Sequence, residues 1–176
     1  MSFDAFLKFS GEGVAAQKIT GESQDEGMRG GWLEIDSFEF GIENKLNLGS
    51  GSGGAGAGKA TFKEFKIQKK TDSASPALVL TCCLGGHYDQ VDLALRKSGA
   101  MAGKSGGPYL VYAFKMVAIG GVDWSGSSGD DVPTESVIFQ YGAIKMTYKP
   151  QDATGKLGTA IETIWSVTKN AQMFAT

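Results

Sequence analysis

The sequence predicts an all-β protein, a bent antiparallel barrel or sandwich flanked by one short α-helix and carrying a long glycine-rich loop. Apolar residues recur at every second position through most of the chain, the period of a strand. Only the stretch 75–86, with Ala77 to Leu84 carrying the helix, has both start and stop signals for a helix. Several strand-like runs also change phase midway, which requires bulges and suits a sheet that curls. With 176 residues the chain is long enough for one domain with a real core, and about seven strands are expected.

The first strand is residues 5–9, followed by a polar, glycine-rich excursion over 10–31. Residues 32–46 start with Leu33 and Ile35 on one face and continue with Phe38, Phe40 and Ile42 on the other, so a bulge is expected near Asp36 and Ser37. The next run repeats the pattern, with Phe62 in one phase and Phe65 and Ile67 in the other. Ser75 and Pro76 read as an N-cap and a first helical proline, and Gly85 and Gly86 as the stop. Ala77, Leu80, Cys83 and Leu84 fall on one side of that helix and are its expected buried face.

After the helix, Val91, Leu93 and Leu95 alternate with Asp92, Ala94 and Arg96. Residues 109–119 are apolar on both faces, so this strand is expected to be covered by the helix or by a partner subunit. Strands over 134–148 and 159–167 complete the set, and 168–176 is a C-terminal tail. Residues 48–58 form a glycine and serine tract, read either as a flexible surface loop or as an arm that orders on a neighbouring molecule. The turn before Thr134 places Trp124 in a polar loop, where an exposed indole marks a contact.

The composition excludes several function classes. Net charge is −2, hydrophobic residues make up 41% and charged residues 20%, with mean hydropathy −0.12 and pI near 5.4. No basic footprint for nucleic acid is present, and no stretch approaches the length of a membrane span. The start lacks a basic, apolar leader, so synthesis in the cytoplasm without a cleaved signal peptide is expected. Cys82 and Cys83 are adjacent on the helix, poorly placed to bridge, and are read as buried thiols.

Three chemical motifs are incomplete. Residues 53–59 match a phosphate-binding loop in spacing, but Ala60 replaces the metal-binding hydroxyl and a strand pattern follows where a helix is needed. Cys83, His87 and Asp89 imitate a nucleophile, base and orienter, yet the helix stops before His87. Two cysteines and one histidine fall short of a zinc site, and Asp130, Asp131 and Glu135 match no calcium loop. No catalytic, cofactor or metal site is assigned.

Three runs taken together, GESQDEGMRGGWLEIDSFEFG at 21–41, TDSASPALVLTCCLGGHYDQVDLALRKSG at 71–99 and PTESVIFQYGAIKMTYKPQ at 133–151, resemble the haemolysin-coregulated protein (Hcp) family, inner-tube subunits of type VI secretion. The resemblance spans residues 5–170. Departures are Phe38, Glu39 and Phe40, where the family often has two tryptophans about a small polar residue, and an apparent insertion at 11–17. The resemblance implies a homo-hexameric ring, rings stacked into a hollow tube, a contractile sheath, a spike protein at the tip and effectors carried in the lumen, with export of the subunit itself. On that basis Tyr109, Leu110, Tyr112 and Phe114 are expected at the ring contact. Leu46, Leu48, Gly51, Gly54, Gly56 and Trp124 are expected at the stacking contact, and Glu39 and Glu43 at the lumen or an interface. A phage-like tail-tube subunit and a small-ligand-binding β-barrel are the alternatives.

Overall fold

A computed structural model of the chain describes residues 3–11, 19–45, 58–98 and 107–176. The strands are β1 (Phe3–Ser10), β2 (Trp32–Ile35), β3 (Ser37–Glu39), β4 (Ile42–Asn44), β5 (Ala60–Phe62), β6 (Phe65–Lys70), β7 (His87–Lys97), β8 (Leu110–Ser125), β9 (Thr134–Tyr148) and β10 (Ile161–Ser166). One α-helix, α1 (Ser75–Leu84), lies between β6 and β7. The fold is the expected all-β one, with the long strands cut into shorter ones where the sequence changes phase.

Seven strands follow the order β2-β1-β7-β8-β9-β6-β3, β10 adds to β9, and β4 with β5 forms a separate two-stranded ribbon. All of these pairings are antiparallel. The two ends of the path, β2 and β3, are consecutive in the chain with Asp36 alone between them, so the sheet must curl back on itself. The Asp36 N–H donates to the Gln68 carbonyl at 2.8 Å, spanning the seam. The result is a bent sheet rather than a fully hydrogen-bonded barrel. Beyond β3 and β6 the hairpin bends at Gly41 and Lys63, joined by a 2.8 Å backbone bond, and continues as the ribbon.

The inside is aromatic. Phe65 stacks on Phe114 at 4.6 Å and on Phe139 at 5.4 Å, and Phe40 meets Tyr112 edge-on at 4.8 Å. The double apolarity of β8 has an internal explanation. Leu110, Tyr112 and Phe114 point inward before Met116, and Val117 and Ile119 point inward after it. Met116 itself adopts φ 49°, a left-handed conformation that shifts the alternation by one residue. Neighbouring strands shift at the same level: β7 buries Val91 and then Tyr88, β9 buries Phe139 and then Ile144.

The outside is partly covered too. The excursion expected to be only a polar loop carries a 3-10 turn (Glu26–Met28). It lays Met28 over Phe6 and Ala94 on the outer face of β1 and β7. Arg96 is buried on that face, its Nη1 and Nη2 bonding the Asp25 carboxylate at 2.7 and 2.5 Å. That guanidinium holds Asp25 below its usual range. Farther along, the C-terminal segment sets Phe174 beneath the ammonium groups of Lys115 and Lys145, at 4.7 and 5.4 Å from the ring.

Helix α1 differs from the expectation in its cap and its face. Ala74 holds the cap position, and the Asp72 carboxylate accepts from the Ala74 N–H at 2.9 Å. Gly85 ends the helix as expected, at φ 65°. The buried face is Ala77, Leu78 and Thr81, whereas Leu80, Cys83 and Leu84 are exposed. Thr81 decides this orientation, since its hydroxyl shares a 2.7 Å bond with the buried Tyr88 hydroxyl and accordingly turns inward. Cys82 is half-buried and Cys83 exposed, so the thiols are not both sheltered.

Candidate functional site

The described residues hold no group of three or more histidine, cysteine or acidic side chains placed for a metal ion, and no helix long and apolar enough to cross a membrane. Ala60 opens β5, so a strand follows the glycine tract where a phosphate loop needs a helix. His87 opens β7 and pairs with Ala118.

Glu39 and Glu43 lie on the bent hairpin and are exposed. Glu39 faces Lys66 at 3.7 Å and Glu43 faces Lys63 at 2.5 Å. The Glu43 carboxylate raises the Lys63 ammonium above its ordinary range. At the same bend the Tyr141 hydroxyl donates to the Lys63 carbonyl at 3.2 Å. Burial pushes that phenol up to about 12, so it remains a donor through the neutral range.

The four residues expected at a ring contact separate. Phe114 is fully buried within its own chain, on the inward phase that ends at Met116. Tyr109, Leu110 and Tyr112 are half-buried against the same core. Leu46, Leu48, Gly51, Gly54 and Gly56 lie outside the described residues. Trp124 is 53% exposed, but it belongs to β8 rather than to a loop, opposite Glu135.

Two features escaped the sequence reading. The first is a buried ionic cluster under the N-terminus of α1. Lys69 and Glu135 are cross-strand partners, both fully buried, with Nζ and Oε1 2.6 Å apart. Lys69 also bonds Asp72 at 2.8 Å, and Ser75 donates to Glu135 at 2.7 Å. The Trp124 indole donates to the other Glu135 oxygen at 3.2 Å. Alternation did carry the signal, because Lys69 continues the inward phase of Phe65 and Ile67, and Glu135 that of Val137 and Phe139.

The second is a groove of about 500 Å³ where the ribbon leaves the body, walled by Phe40, Ile42 and Phe62 on one side and Met146, Ile164 and Trp165 on the other, with Tyr112 also lining it. Among the described residues, no charged side chain lines it. It forms because β6 and β10 share β9, one at each end, which leaves the far edge of β10 unpaired by any described strand.

The comparisons agree with this architecture. The family model described as "Type VI secretion system effector, Hcp" matches residues 6–148. Protein hcp1 of Pseudomonas aeruginosa is 32% identical over 115 residues, covering 65% of this chain and 69% of the relative. A solved type six secretion system protein superposes with TM-score 0.84 at 28% identity, over 97% of this chain and 99% of its own. Hcp1 from Salmonella typhimurium gives TM-score 0.75 at 27% identity, over 98% and 100%. With most of the chain matched by the family model and nearly all of it by the related folds, the protein belongs to the Hcp family of type VI secretion proteins.

Proposed function

We propose that this chain is a structural tube subunit that acts by assembly, without catalysis. Six copies close into a ring, rings stack into a hollow tube inside a contractile sheath with a spike at the tip, and effectors travel in the lumen. The subunit is made in the cytoplasm and exported with the tube. The observation that carries this reading is the uncharged groove beside an exposed ribbon, on a chain in which 20% of residues are charged. An open apolar surface of that kind marks a contact. Glu39 and Glu43 are assigned to the lumen or to a subunit contact, and residues 48–58 to the contact between rings.

Native mass measurement with electron microscopy tests the proposal. Annular particles of six copies are expected, and removal of residues 51–56 should abolish stacking while sparing the rings. A monomer at high concentration overturns the reading. The groove also suits a small apolar ligand, and a monomer that takes up a hydrophobic probe there would establish that alternative.

A further inference from the structure

The molecule carries a second uncharged surface. Helix α1 has no charged residue, and Leu80, Cys83 and Leu84 stand on its exposed side at the i, i+3 and i+4 spacing of one ridge. Leu84 is 61% and Leu80 37% exposed. Ridge and groove lie at different levels of the sheet. Thr81 of α1 touches Tyr88, whose partner on β8 is Val117, while the groove reaches β8 at Tyr112. Five residues of strand separate those levels, about 17 Å. Ridge and groove therefore cannot meet within one copy.

We infer that the Leu80, Cys83 and Leu84 ridge of one copy seats in the groove of the next, between Ile42 and Phe62 of the ribbon and Met146 and Trp165 of the body. The inference rests on the reading of this chain as a self-assembling subunit and names the surfaces that do the assembling. An apolar helix ridge laid into an apolar groove is a recurring recognition mode, with anchors at this spacing. A second copy is the occupant because the same chain supplies both halves, and among the described residues neither half presents a charge that would be stranded on burial. Because the two patches differ, the contact is heterologous and runs head to tail, which generates closed rings or open filaments rather than two-fold dimers.

Cys83 makes the contact testable in the assembled full-length protein. With Cys82→Ser to leave one native thiol, Ile42→Cys places a second on the groove wall. Mild oxidation should then yield covalent oligomers on a non-reducing gel, and Cys83→Ser should eliminate them. Independently, Leu84→Glu should convert the particles to folded monomers, with near-ultraviolet circular dichroism unchanged because Leu84 makes no part of the core. Intact annular particles that neither cross-link nor respond to Leu84→Glu would overturn the ridge-in-groove contact and leave the ring reading standing. Absence of any particle in the unmodified protein would instead overturn the ring reading itself.

Discussion

Beside the N-terminus of α1, Lys69 and Glu135 face each other across β6 and β9 with no exposure to water, and Asp72, Ser75 and Trp124 satisfy the remaining polar atoms. Where the hairpin bends toward the ribbon, Glu39 with Lys66 and Glu43 with Lys63 are also cross-hairpin ion pairs, but in open solvent, beside the apolar groove. The same residue types in the same kind of ladder thus serve opposite ends. The buried cluster fastens the helix and its preceding turn to the sheet, because an ion pair out of water tolerates no missing partner. The exposed pairs hold little, because water and salt screen them. One end of the molecule is fastened by its own buried side chains, and the other presents an open apolar groove.

The contrast breaks most visibly at Lys69. Lys69→Met leaves Glu135 buried without its cation and should cost about 3–5 kcal/mol in urea unfolding. Adding Glu135→Leu should recover most of that loss. A single variant as stable as the unmodified chain would remove the distinction between the two ends.

A smaller effect belongs to Asp25, which fastens the outer excursion to Arg96. Asp25→Asn should cost about 1–2 kcal/mol, the scale of a charge-assisted hydrogen bond in a half-exposed setting. The pH dependence has a definite sign. The folded carboxyl lies below its ordinary value, so its contribution is complete above the ordinary carboxylate range and is lost as pH falls through the folded value. Amide exchange at Gly27 and Met28 should accelerate over that acidic interval, and in Asp25→Asn it should be fast at every pH.

The smallest effect is expected at the ribbon. Lys63→Gln should leave the unfolding midpoint of the monomer unchanged, and added salt should abolish any residual difference between the two proteins. A clear loss of monomer stability would mean that the ribbon is fastened as firmly as the helix.

Strand positions were legible because they depend on local alternation. The expected strand at 134–148 is β9 to the residue, and the phase change beside Asp36 is the point where the chain passes from one edge of the sheet to the other. The Lys69 and Glu135 pair was legible in principle, since both occupy inward phases, but a charge in an apolar phase is ambiguous until its partner is known. Trp124 was misplaced because β8 continues through two glycines, Gly120 and Gly121, with a register shift there, and glycines ordinarily mark a turn.

By itself the sequence determined the all-β class, the presence of the helix and its stop at Gly85, the bend points and the family resemblance, because propensity, capping and period are properties of neighbours along the chain. Tertiary structure alone decided which face of β8 and of α1 is inside. Met116 in a left-handed conformation turns Phe114 and Val117 both inward, and the Tyr88 hydroxyl turns Thr81 of α1 toward the core, leaving Leu80 and Leu84 in the open. A period of two names two faces without saying which is buried, and that choice is made by residues distant in sequence that meet only once the sheet has curled.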